Sequence, residues 1–162
     1  MKKILFLTLL CTACSLSSMG QTTTRTHTVT YTVNPILELD FDATTANLGF
    51  SFTTATDFES GKTNTAAAGL RVRSNKAWTV SVKANAANFT TVGGDAVLAN
   101  KLSVKRNAVG SFIPLTATDQ TLATGAKGGY ATNTFQIDYF ANPGYIAPAT
   151  YTLGVTFTVT AP

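Results

Sequence analysis

Along much of this chain apolar and polar side chains alternate one for one. Tyr151, Leu153, Val155, Phe157 and Val159 are interleaved with Thr152, Gly154, Thr156, Thr158 and Thr160. A period of two in β-branched and aromatic residues predicts a strand with one face in a core and one in water. The same pattern places Val29, Tyr31 and Val33 against Thr28, Thr30 and Thr32, and Leu39 and Phe41, preceded by Ile36 or Leu37, against Glu38, Asp40 and Asp42. Leu48, Phe50 and Phe52 form a further ribbon. In the centre Leu70 and Val72 alternate with Arg71 and Arg73, and Trp78, Val80 and Val82 alternate with Thr79, Ser81 and Lys83. The intervening Ser74-Asn75-Lys76 predicts a hairpin turn between them. Leu102 and Val104, a short ribbon over 111–115, and Phe135, Ile137 and Tyr139 facing Gln136 and Asp138 complete the set.

Breaks fall where the local chemistry demands them. Proline in Asn34-Pro35 removes a ladder donor and drives its predecessor into an extended or turn conformation. Residues 57–69 and 85–95 read as loops, the second with a Gly93-Gly94-Asp95 turn and with Phe89 and Val92 as plugs for the edge of the core. Residues 125–129 read as a glycine-rich connection, and 142–148 as a proline-containing turn. Nothing sustains the 3.6-residue period of a globular helix, beyond one turn at residues 66–68. Many short strands divided by turn clusters predict an all-β antiparallel sandwich or barrel, and one sandwich is the economical choice. Trp78, Val80, Val82, Tyr151, Val155 and Phe157 are its expected core.

The first residues are of another kind. Lys2 and Lys3, an apolar run over 4–10 and the small residues Ser18 and Gly20 have the order of a secretory leader cut after Gly20. The expected organisation is a signal peptide over 1–20, a polar lead-in over 21–28 and a sandwich domain over 29–162. The run is too short for a membrane span, which takes about 20 apolar residues. Cys11 and Cys14 both lie in the leader, so the exported domain has no disulfide. Thr12-Ala13-Cys14 also resembles the end of a lipobox, which makes a lipoprotein acylated at Cys14 the alternative to free secretion. Loss of Lys2 and Lys3 lowers the net charge from +4 to +2. A charged fraction of 12% is about half the usual share in globular domains, so charge does not drive recognition. Roughly 140 residues remain, enough to bury a core without staples.

Reactive constellations are sparse. His27 is the sole histidine, the exported part has no cysteine, and no Gly-x-Ser-x-Gly elbow occurs. No nucleophile therefore has a base and an orienting group, and the expectation is a protein without catalytic residues, metal or cofactor. Glu38, Asp40 and Asp42 project from one strand face and are the candidate cation ligands, but alternate residues lie about 7 Å apart while Ca²⁺ draws its oxygens to about 2.5 Å. A solvated face that discourages edge-to-edge pairing is the alternative. Arg71, Arg73 and Lys83, with Lys101, Lys105 and Arg106, form a basic stripe suited to an anionic polysaccharide or to plain solvation, and too weak for nucleic acid. Tyr139 and Phe140 point to opposite faces and Tyr145 lies in a turn, so Phe140 and Tyr145, with Tyr130, are the candidate ligand contacts.

Val72-Arg73-Ser74-Asn75-Lys76-Ala77-Trp78-Thr79-Val80, followed downstream by Asn142-Pro143-Gly144-Tyr145-Ile146-Ala147-Pro148 and Tyr151 ahead of a threonine–valine ribbon, resembles secreted bacterial β-sandwich proteins of the WxL-like and pilin-like kind. It is similar also to chaperone–usher fibre subunits and spore-coat-like proteins. Trp78-Thr79-Val80 departs from the leucine of the WxL name. The resemblance implies an Ig-like sandwich of Greek-key type, displayed outside the cytoplasm and non-catalytic, with a structural or adhesive role. Its expected partners are other surface proteins, copies of itself, or cell-envelope polysaccharide. The expected mode is strand addition, with Thr28, Val29, Thr30, Tyr31, Thr32 and Val33 as the pairing segment, and a carbohydrate-binding module is the alternative.

Overall fold

The computed structural model describes residues 21–42 and 48–162, so the expected leader, with Cys11 and Cys14, falls outside the described residues. The chain separates into two units, Met1–Val33 and Asn34–Pro162. In the first, residues 21–33 are exposed and carry no strand, His27 among them. The ribbon expected over 28–33 has the side-chain pattern of a strand but pairs with no other strand among the described residues.

The second unit is all-β and sandwich-like. Its elements are β1 (Leu37–Phe41), a short helix α1 (Ala55–Ser60), β2 (Lys62–Ser74), β3 (Trp78–Ala84), β4 (Thr90–Thr91), a 3₁₀ turn (Ala99–Lys101), β5 (Leu102–Arg106), β6 (Ile113–Pro114), β7 (Gln120–Gly125), β8 (Thr134–Ala141), β9 (Tyr151–Thr152) and β10 (Val155–Thr160). A five-stranded sheet runs β1-β2-β8-β5-β6, a three-stranded sheet runs β10-β3-β7, and β4 pairs with β9. All the ladders are antiparallel. Leu70 and Val72 of β2, Val104 of β5 and Ile137 of β8 meet Val80 and Val82 of β3 in the core, and all six are fully buried.

Trp78 anchors one end of that core. It is 4% exposed, its ring stacks at 6.2 Å on Phe135, and its indole N–H donates to the Ala126 carbonyl at 3.0 Å. The indole lies directly against Gly125, where a Cβ would come within 2.1 Å of the ring. Only glycine fits there. Tyr151, Val155 and Phe157 are half-buried, the last two because they lie on the flank described below.

Several sequence expectations are corrected. β2 and β3 do not form a hairpin: they belong to different sheets, and Ser74-Asn75-Lys76 crosses between layers. Alternation tells which face of a strand is apolar, and is silent on which strand lies beside it. Residues 57–69 are not a loop. They hold most of α1, capped by a reciprocal pair in which Thr54 and Asp57 each bond the other's backbone, and the first half of β2. Leu48, Phe50 and Phe52 form no strand, and the two phenylalanines join Phe58 in an aromatic row instead, Phe50 to Phe52 at 6.4 Å and Phe52 to Phe58 at 5.8 Å. Val92 stands in solvent and plugs nothing. The last ribbon is split at Leu153-Gly154, and its first piece pairs with β4 while its second pairs with β3; Gly154 lies against Asn85, where a Cβ would sit 2.6 Å from the side-chain amide nitrogen.

Asp138 is the sharpest departure. It occupies an outward position on β8, yet is 3% exposed. Three residues of β2, 65–67, stand opposite it in an irregular bulge between Asn64 and Ala68, with Ala66 in the left-handed region at φ 53°. The bulge folds over the carboxylate. Asp138 Oδ1 accepts the Ala66 N–H at 2.9 Å and the Asn107 amide at 2.7 Å, and Lys105 stands 3.7 Å from Oδ2.

Candidate functional site

The candidate site is the flank of the sandwich where β1, the edge of one sheet, lies beside β10, the edge of the other. Two hydrogen bonds set the phase of β1. Asp42 N–H donates to the Gly69 carbonyl and Asn75 N–H to the Ile36 carbonyl, so even-numbered residues bond β2 and the main chain of Leu37, Leu39 and Phe41 faces outward from the edge. On β10, Asn85 N–H donates to the Gly154 carbonyl. In the antiparallel register with β3, this turns the peptide groups of Val155, Phe157 and Val159 to the open side. Among the described residues, neither edge has a backbone partner on its open side.

Side chains make the flank apolar as well. Glu38 and Asp40 point away from the core, so Leu37, Leu39 and Phe41 point toward the second sheet, and Phe41 meets Phe157 edge-on at 5.9 Å. That sheet stops at β10. Leu37 remains 37% and Phe41 44% exposed on a face whose partners on β2, Leu70 and Val72, are fully buried. Val155, Phe157 and Val159 are half-buried for the same reason. Among the described residues, no strand beyond β10 covers this part of the first sheet.

Asn75 fixes how the chain enters this flank. Its Oδ1 accepts the Ile36 N–H at 3.1 Å and its Nδ2 donates to the Asn34 carbonyl at 2.8 Å. Lys76 next door donates from Nζ to the Pro162 carbonyl at 2.7 Å. The turn between the layers therefore grips the start of β1 and the chain beyond β10 together.

Asp40 accepts from Arg71 at 2.6 Å and Glu38 from Arg73 at 2.9 Å, a cross-strand ladder on the outer face. The Arg71 guanidinium holds the Asp40 carboxyl below its ordinary range. Tyr130 lies under both arginines, 4.8 Å and 4.2 Å from its ring centre, and donates to Glu38 at 3.1 Å. Burial and the Glu38 carboxylate push its phenol up. Glu38 and Asp40 thus spend their oxygens on arginine, and among the described residues no group of three or more acidic, histidine or cysteine side chains converges on a metal position. The basic stripe is largely neutralised in place, since Lys83 pairs with Asp119 and Lys105 with Asp138, each at 3.7 Å.

Tyr145 is 69% exposed, with one ring face stacked on Phe58 at 5.4 Å and its hydroxyl donating to Glu59 at 3.1 Å. Phe140 is half-buried on the outer face of β8, packed on Phe112 at 5.6 Å and with its ring edge against Gly61. Lys105 sits 4.8 Å over the Phe112 ring. Tyr151 has a structural job: its hydroxyl donates to the Ala147 carbonyl at 2.8 Å and accepts the Asp95 N–H at 3.0 Å, while Asp95 accepts the Ala147 N–H at 2.7 Å. Among the described residues no helix is long and apolar enough to cross a membrane. Comparison with known protein families and with curated proteins finds no match for this chain.

Proposed function

We propose that this protein is a non-catalytic structural or adhesive β-sandwich that acts outside the cytoplasm and associates by strand addition. The observation that carries the reading is the flank, where two adjacent edges combine peptide groups that have no partner among the described residues with apolar side chains that stay partly exposed. Sheet edges normally carry devices that blunt them: charges pointing inward, prolines, bulges. β10 has none of these, and its open side is chemically an invitation to a further strand. The leader expected over 1–20 supplies the compartment, and threonine-rich outer positions suit an exposed surface.

The test is light scattering with size exclusion on the protein with and without residues 21–33. Association in the first case and a monomer in the second support the reading. A monomer in both defeats it.

A second reading rests on Tyr145, whose ring is braced by Phe58 and exposed: a carbohydrate-binding module for envelope polysaccharide. Glycan-array binding that disappears in Tyr145→Ala would favour it, and an array blank for the unaltered protein would remove it.

A further inference from the structure

Val29-Thr30-Tyr31-Thr32-Val33 and Val155-Thr156-Phe157-Thr158-Val159 are the same pentapeptide but for one phenolic oxygen. The second copy is the body of β10. The first lies in the unit Met1–Val33 with Val29, Tyr31 and Val33 exposed by 63, 86 and 77%. We infer that the segment 29–33 of one molecule adds to the open edge of β10 in a second molecule, and that the exchange is reciprocal and closes a two-fold dimer. This inference rests on the strand-addition reading above and names its partner, its acceptor and its symmetry.

β10 shares its inward face with β1, where Phe157 meets Phe41. A strand laid along β10 must turn apolar residues toward the exposed rings and branches of Leu37 and Phe41 and polar residues to water. Residues 29–33 do this with the set β10 already uses: Val, aromatic, Val inward and Thr outward. Centred on Phe157, Tyr31 stands opposite an aromatic side chain and above Phe41, which itself meets Phe157 edge-on. Cross-strand aromatic and β-branched pairs of this kind each contribute about 0.2–1 kcal/mol. Because Val-Thr-Tyr-Thr-Val reads the same in both directions, the alternation survives either strand polarity. A one-residue slip would put threonine into the cleft and Tyr31 into water, so the register is set by burial.

Area decides between one-way and reciprocal exchange. Covering a tyrosine and two valines removes on the order of 400 Å² from the donor, and about as much from the acceptor. One exchange therefore gives an interface on the order of 800 Å², below what stable specific pairs need, whereas two give on the order of 1,600 Å², the ordinary size. A symmetric pair also leaves neither β10 edge open for further growth.

The experiment uses the full chain carrying Cys11→Ser and Cys14→Ser, so that introduced cysteines are the only thiols. Thr158→Cys is mixed under mild oxidation with Thr30→Cys, with Thr32→Cys, or with Thr23→Cys as an off-register control. Antiparallel addition joins 30 to 158 and parallel addition joins 32 to 158. One of the two pairs should crosslink to dimers well above the Thr23→Cys background. Tyr31→Lys, in a segment outside the sandwich, should leave the fold intact and weaken the dimer more than tenfold. Association that persists with neither crosslink, or that ignores Tyr31→Lys, overturns the β10 acceptor while leaving strand addition elsewhere standing. Crosslinks accompanied by open-ended oligomers overturn the reciprocal dimer. An unaltered chain that is monomeric throughout overturns both this inference and the reading beneath it.

Discussion

Replacing Asp138 by alanine should cost the sandwich about 2–4 kcal/mol. The carboxylate accepts two hydrogen bonds, from Ala66 N–H and the Asn107 amide, beside the Lys105 ammonium. Bonds to a charged partner contribute roughly 1.5–3 kcal/mol each. Ala66 is itself exposed, so water repairs part of its loss, which sets the total below the simple double. Burial pushes the Asp138 carboxyl up, and the Ala66 N–H, the Asn107 amide and Lys105 together outweigh it and hold the group below the usual carboxylate range. It is charged at neutral pH. Asp138→Asn keeps the volume and the oxygen that accepts both N–H groups but loses the charge that strengthens those bonds and faces Lys105, and should lose about half as much as Asp138→Ala. The assay is urea unfolding followed by the fluorescence of Trp78, the only tryptophan, which is buried against Phe135 and leaves that site on unfolding. With a slope of about 1–3 kcal/mol/M, the midpoint should fall by about 1–2 M. A cycle with Asn107→Ala should show coupling of about 1 kcal/mol, since the two side chains share one contact. If Asp138→Ala stays within about 0.5 kcal/mol of the parent, as surface substitutions do, the carboxylate does not hold the bulge and the argument fails.

Other substitutions test neighbouring parts of the argument. Ala66 and Ala108 sit at φ 53° and 57°, a region costing about 1–2 kcal/mol for a residue with a Cβ, so glycine at either should raise stability by about 0.5–1 kcal/mol, visible as a melting point higher by a few degrees. Asn75→Ala should cost about 1–2 kcal/mol and speed hydrogen exchange at Ile36, whose N–H loses its acceptor. Gly125→Ala should cost at least 1–3 kcal/mol through overpacking, together with a shifted Trp78 emission. Acid should weaken the fold: Asp57, held down by the Thr53 and Thr54 N–H groups and Lys62, and Asp138 have folded pKa values below their unfolded ones. Their stabilisation is complete above about pH 4 and is lost as the pH falls through the folded values. A melting point constant from pH 7 down to pH 2 would contradict both assignments.

The sequence carried the strands and hid their neighbours. Alternation located β1, the end of β2, β3, β5, β8 and β10, because a half-buried strand cannot avoid writing its two faces into its residues. It mistook the Ser74-Asn75-Lys76 crossing for a hairpin, since a turn within a sheet and a turn between sheets use the same polar residues and differ only in what receives their hydrogen bonds. β7 escaped because Gln120, Thr121, Thr124 and Gly125 carry little hydrophobic signal. Its place is set by the indole of Trp78, which needs Gly125 beneath it and the Ala126 carbonyl at its edge. Asp138 was legible as polar and unreadable as buried, because what covers it is a bulge whose key residue is an unremarkable alanine.

The flank between β1 and β10 was the least legible feature, for a physical reason. An uncovered edge leaves no mark in the residues; it shows only as inward-facing side chains that stay wet, and that contrast exists only once two layers are laid face to face. Leu37 and Phe41 have the sequence pattern of core residues and the exposure of surface ones, while Leu70 and Val72, one strand further in, have both pattern and burial of the core. The difference isolates the cause as position, not composition: the same alternation is satisfied under β3 and unsatisfied beyond β10. A segment elsewhere in the chain with the composition of β10 and no ladder of its own, residues 29–33, has the complementary deficit. Each side lacks what the other offers, apolar cover on one and peptide partners on both, and neither deficit is relieved by anything else among the described residues.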